Sequence, residues 1–214
     1  MLKKLLLFFL LLIVGAYGVL DVAAKRLAEQ KLAERAEASV GGQAEATADV
    51  DSFPFVIKLL GSGSAGDISL HVTDVVASQL EFSSVDLDLR GVKLDKGKLL
   101  SDRRTEVTDI DSGTLTIRIA AAAISKALRG LPVTIRDGRV EVQVAGQARA
   151  ADVTLAAGGS LRISVPQGPG VNVQIPRTAL GSCDATALTV DDDLIRLSCT
   201  MTEIPPALLA AARR

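Results

Sequence analysis

Few side chains in this sequence are of a type that does chemistry, and their spacing narrows what they could do. In 214 residues histidine occurs once, at position 71, and cysteine twice, at 183 and 199. One His and two Cys cannot assemble the ligand sets with which zinc is usually held. A Ser-His-Asp triad would have to use His71, and no Gly-x-Ser-x-Gly elbow is present to offer the serine. His71 also falls between the alternating Ile68, Leu70 and Val72, on the polar face with Ser69 and Thr73, where a solvated strand residue belongs. The chain therefore reads as a non-enzyme, with no catalytic residue, no metal and no cofactor.

The carboxylates point the same way. Asp109 and Asp111 are two apart, a spacing open to a general acid and base, but they fit one face and the end of a strand before Gly113. Asp191-Asp192-Asp193 stands where a hairpin turn is wanted, and Asp favours turns by bonding to nearby backbone. The spaced ligand pattern of a calcium loop is absent. Cys183 and Cys199 flank that turn. If residues 185–190 and 194–198 pair, the two cysteines lie nearly opposite, within the ~4.4 to 6.8 Å between Cα atoms that a disulfide tolerates. A disulfide would place the domain outside the cytoplasm.

What is left is apolar chemistry. Net charge is −1 with both signs interspersed, so the footprint of a nucleic-acid binder is missing. Aromatics make up 3% and Trp is absent, which removes the stacking platforms used for single strands. Aliphatic side chains dominate, and they can line a core or a smooth receptacle for acyl chains. The one dense aromatic pair after the N-terminal run is Phe53-Pro54-Phe55, followed by Ile57 and Leu60. Proline lacks the backbone donor of a central strand, so this stretch is expected at an edge or turn. This run reads as plain core packing or, functionally, as the lip of an apolar pocket or a membrane-touching edge; on the functional reading Phe53, Pro54, Phe55, Ile57 and Leu60 are the candidate lipid-binding residues. Gly61-Ser62-Gly63-Ser64-Ala65-Gly66 lacks the ending of a phosphate loop and reads as a flexible loop that could let the lip move.

These residues must be positioned by the elements around them. Residues 5–20 are sixteen uncharged residues after Lys3 and Lys4. With Leu2 they reach the lower end of the ~17 to 25 residues that cross a bilayer. They exceed the ~7 to 15 usual in the core of a signal peptide, although Val22-Ala23-Ala24 offers a small-residue cleavage site. The length favours an uncleaved anchor. From residue 23 to residue 39, Ala24, Ala28, Leu32 and Ala36 recur four apart with charges opposite, an amphipathic helix ended by Gly41-Gly42. Period-two alternation follows at Ile68, Leu70, Val72, at Val85, Leu87, Leu89 and at Leu115, Ile117, Ile119. A short alanine-rich helix spans residues 120–129. Val133-Thr134-Ile135, Asp137-Gly138 and Val140, Val142, Val144 make a hairpin. Further strands are expected over residues 153–155, 161–165, 171–175, 187–190 and 194–199, with a terminal helix from Ile204. The fold class is α+β, a curled antiparallel sheet around a long helix. The expected organisation is a signal anchor or signal peptide over residues 1–21 and a single extracytoplasmic domain over 22–214.

The order of these elements resembles the actinobacterial LmeA-like phospholipid-binding proteins. The resemblance is carried by the helix over residues 23–40, by Phe53-Pro54-Phe55 with its glycine-rich successor, and by Ser198-Cys199-Thr200-Met201-Thr202-Glu203-Ile204-Pro205-Pro206-Ala207-Leu208-Leu209. It implies a tubular lipid-binding (BPI-like) fold, a long helix wrapped by a curled sheet that leaves an apolar groove. It also implies a phospholipid ligand, including phosphatidylinositol species, and a role in mannan maturation. Partners would be phospholipid and membrane, at the extracytoplasmic face of the plasma membrane, or in the periplasm or medium if the N-terminal segment is cleaved. The competing expectation is a structural or interaction domain that scaffolds envelope enzymes and holds no lipid. A continuous apolar cavity open to solvent would favour the first, and a sealed, densely packed core the second.

Overall fold

One helix, α1, runs unbroken over Leu2–Val40, so the apolar run and the charged stretch after it form a single rod, about 58 Å long at 1.5 Å per residue. The computed structural model describes residues 2–40, 44–77, 80–101, 106–156, 160–166, 168, 170–174, 185–191 and 193–203, with the side chains of 2–17, 39–40, 77, 156, 160, 171, 173–174 and 185 outside that description. Gly41, Gly42 and the terminal segment from Ile204 lie outside the described residues. Among the described residues no helix is long and apolar enough to cross a membrane; of the apolar run, only Gly18, Val19 and Leu20 have described side chains.

After α1 come β1 (Glu45–Asp51), α2 (Phe55–Ser62), β2 (Ser64–Ala77), β3 (Leu80–Leu94), α3 (Lys96–Ser101), β4 (Val107–Asp109), β5 (Ser112–Ala120) and α4 (Ala121–Ala127). The chain continues with β6 (Val133–Arg136), β7 (Arg139–Val144), β8 (Gln147–Ala156), β9 (Ser160–Ser164), β10 (Gly170–Gln174), β11 (Ala185–Asp191) and β12 (Leu194–Met201). Seven strands form one sheet in the order β1-β2-β3-β5-β12-β11, with β4 added to β3, and five form a second in the order β10-β9-β8-β7-β6. Neighbours pair antiparallel, and neither sheet closes on itself. One apolar cluster runs through both sheets, from Val72 and Ile117 to Ile135, Val142 and Ile163, with Ile124 of α4 fully buried in it. The class is α+β, as the alternation predicts.

The long helix is not wrapped by the sheet. It packs chiefly on β1, β2 and α2, along one edge. The reason is visible in β1, an edge strand whose outward N–H groups have no strand partner. Glu37 accepts from the Ala46 N–H at 3.0 Å and Glu29 from the Val50 N–H at 3.1 Å. Eight helical residues advance about 12 Å and four strand residues about 13 Å, so the two carboxylates meet every fourth residue of the edge. Ala33, between them, packs on the core.

The segment after β1 also differs from the expectation. Phe55–Ser62 is a helix, not an edge strand, with Pro54 at its N-cap after a cis Phe53-Pro54 bond. The glycine-rich stretch is not a loop: Gly61 and Ser62 end α2, Gly63 closes it in the left-handed conformation, and Ser64 begins β2. At Gly66 (φ 83°) a Cβ would stand 2.6 Å from the Asp51 carbonyl, so this backbone is clamped against β1 and cannot serve as a hinge. Helix α3 and the β7–β8 turn through Ala145 and Gly146 at positive φ had no counterpart in the sequence reading.

Candidate lipid-binding face

Residues paired across antiparallel strands share a face, so the register sorts the large sheet into two surfaces. One row reads Ala46, Val72, Val85, Ile117, Leu197, Leu188 from β1 to β11. The next reads Ala48, Leu70, Leu87, Leu115, Cys199, and a third Val50, Ile68, Leu89, Gly113, Met201. Every side chain named in these rows is apolar and none is aromatic; on β11 the second row ends in Thr186. The reverse face carries Ser69, His71, Asp86, Asp88, Thr116, Arg118 and Ser198.

Cover over the apolar face is uneven. Ile117, Leu197 and Met201 are buried, whereas Ile68, Leu70, Val85, Leu87, Leu188 and Val190 are only half-buried. Leu70 and Leu87 are direct cross-strand partners, and so are Val50 and Ile68 beside them, which makes an aliphatic strip in partial contact with solvent on β2 and β3. From β1 to β11 the sheet is about 24 Å wide at 4.8 Å per strand, against about 15 Å for the acyl layer of one leaflet. A separate open groove of about 730 Å³ runs along α1 beside Val19, Val22, Ala23 and Leu27, but its described lining comes from that helix alone and gives an acyl chain no opposite wall.

The five residues singled out from the sequence do not act as one group. Phe55 is buried, and its amide donates to Asp21 Oδ2 at 3.0 Å while the Val56 amide donates to Asp21 Oδ1 at 2.7 Å. Asp21, itself buried, thus caps α2 from the middle of α1. Pro54 supplies the carbonyl that accepts from the Lys58 amide. Phe53 (73% exposed), Ile57 (56%) and Leu60 (48%) are open to solvent. They form an exposed apolar tip at α2. Sequence reasoning missed the strip itself, although the same alternation that predicted the strands contained it.

The polar face performs no hydrolytic chemistry of the triad kind. His71 Nδ1 contacts Asp86, whose other oxygen takes Arg118, and Arg118 also donates to Ser84 Oγ at 2.9 Å. The carboxylate stands between the histidine and the serine, whereas a nucleophilic serine needs the imidazole directly. Asp109 accepts from Lys93 at 2.9 Å, and that hydrogen bond holds its pKa below the ordinary aspartate value. It is therefore a poor general acid near neutrality. Asp191 pairs with Arg196 at 3.0 Å, and the β11–β12 turn passes through Asp193 at positive φ. No group of three metal-ligating side chains occurs among the described residues. Cys199 is buried on β12 with no free thiol, and its cross-strand partner is Thr186. Cys183, the partner expected from the sequence, lies outside the described residues.

Comparison with known proteins gives one family, described as LmeA-like phospholipid-binding, over residues 19–200. No curated protein and no solved structure matches. The matched span contains α1 from Val19, the α2 tip and every row of the apolar face up to Cys199. That family is one of lipid-binding domains and not an enzyme family. The chain belongs to the LmeA-like phospholipid-binding family.

Proposed function

We propose that the chain holds phospholipid by laying acyl chains along the apolar face of the seven-stranded sheet, over Ile68, Leu70, Val85 and Leu87. The observation that carries this is the half-buried aliphatic strip on β2 and β3, beside the buried Ile117, Leu197 and Met201 of the same face. Taking a ~16-carbon chain out of a bilayer forfeits on the order of 12 kcal/mol at ~0.8 kcal/mol per CH₂, and an uninterrupted aliphatic surface is what offsets that loss. In this reading the domain works at the extracytoplasmic face of the plasma membrane, held there by residues 5–20. Its ligand is of the phosphatidylinositol type and its role is in envelope lipid or mannan maturation. Family membership supports the lipid ligand; the apolar run and the two cysteines support the location.

Native mass spectrometry of the full chain released from detergent tests the proposal. A phospholipid adduct is expected, and its mass names the headgroup. Leu87→Gln should deplete the adduct, because an unpaired amide on the strip loses about 1 to 3 kcal/mol on burial under an acyl chain. A polypeptide mass with no adduct across several detergents would leave the scaffold reading in its place.

A further inference from the structure

We infer that the tip formed by α2 and α3 is a docking surface for an anionic bilayer, distinct from the acyl-chain strip and independent of whether the strip holds lipid. Phe53, Ile57 and Leu60 are about half to three-quarters exposed, and Leu100 on α3 is 64% exposed. Large apolar side chains grouped in this way on a surface mark an interaction site. The charge on the two helices themselves has one sign. Neither helix contains an acidic residue, and Lys58 and Lys96 are exposed between the apolar side chains. Lys96 Nζ donates to the Gly61 carbonyl at 3.1 Å, which ties α3 to the end of α2. Lys98 is engaged by Glu106, so Lys58 and Lys96 carry the positive charge.

A bilayer fits this tip better than a protein partner because of how α2 is held. Asp21 is the first residue after the apolar run, and its carboxylate receives both N-terminal amides of α2. The helix bearing Phe53, Ile57 and Leu60 beside or along it is thus fastened at the point where the uncharged run ends. Phe, Leu and Ile beside lysines is the composition of elements that settle into the headgroup boundary. The anionic lipids attract the lysines and the acyl boundary receives the apolar side chains.

The chain contains no Trp, so an introduced one reports without background. Phe53→Trp and Leu100→Trp in the full chain should be placed in vesicles of equimolar phosphatidylcholine and phosphatidylglycerol, with and without brominated acyl chains. Val76→Trp is the control: Val76 is 64% exposed and apolar, but about 40 Å along β2 from the tip. Bromine should quench Trp at 53 and 100 and spare Trp at 76. Adding Lys58→Gln to Phe53→Trp should lower the ratio of docked to free tip about fivefold, the effect of one lysine near an anionic surface. Equal quenching at 53 and 76, or none at 53 and 100, overturns the inference. Those positions are exposed, so the variants keep the fold, and an intact lipid adduct by mass separates failure of the tip from failure of the strip.

Discussion

Removing the Asp21 carboxylate should loosen α2 more than any surface substitution on that helix. Asp21 is 2% exposed and accepts at 3.0 and 2.7 Å from the amides of Phe55 and Val56, thirty-four and thirty-five residues away. Helix amides at an N-terminus have no partner inside the helix, and Pro54 at the N-cap offers no side-chain acceptor. A lost N-cap costs about 0.5 to 2 kcal/mol, and hydrogen bonds to a charged group contribute about 1.5 to 3 each. Against this stands relief from keeping a carboxylate out of water, so Asp21→Ala should lose about 2 to 4 kcal/mol net. Asp21→Asn keeps one acceptor and should lose roughly half of that on the same scale. Chemical unfolding gives the global value, and hydrogen exchange at the Phe55 and Val56 amides gives the local one. A stable Asp21→Ala with both amides as protected as before would refute the assignment. The same bond bears on processing, since cleavage near Val22-Ala23-Ala24 would remove the cap, and a mature chain lacking Asp21 should open α2 to exchange.

Three further outcomes follow from the same geometry. Phe55→Ala should cost about 3 to 5 kcal/mol as a buried aromatic, whereas Phe53→Ala, at 73% exposure, should stay within about 0.5 kcal/mol in thermal unfolding. Non-reduced intact mass should be lower by two hydrogens for a Cys183–Cys199 disulfide worth about 3 kcal/mol for a loop of this length; two alkylatable thiols in the folded protein would exclude it. Glu29→Ala and Glu37→Ala should each lose about 1 kcal/mol and raise aggregation, read by light scattering, because each frees an edge amide of β1.

The strands were legible because their signal is local. Ile68-Leu70-Val72 and Leu115-Ile117-Ile119 alternate, and the sheet face they share follows from the register. Asp137-Gly138 announced its hairpin by residue type, while Ala145-Gly146 turns just as tightly with an alanine that gives no such notice. Helix α2 was illegible for the opposite reason. Its Val56 and Ile57 favour strands, and its cap comes from Asp21, far away in sequence. The only local hint was Phe55 and Leu59 four apart, with Gly63 to close the helix. Asp21, Glu29 and Glu37 look in the sequence like the solvated side of an amphipathic helix. Each instead accepts from a backbone amide of another element.

Those carboxylates also explain how an apolar sheet face can stay partly open without becoming an aggregation hazard. A sheet that closes into a barrel loses its edges but fills its interior with its own side chains. Here the sheet remains open, and its two edges are managed separately. At β1, Glu29 and Glu37 occupy the free amides; at the other end, β11 abuts β6 and β7 of the second sheet. Edge pairing with another chain is thereby blocked while Ile68, Leu70, Val85 and Leu87 keep partial access to solvent. Edge and face are thus uncoupled, so the aliphatic strip on β2 and β3 stays accessible without any strand having to separate.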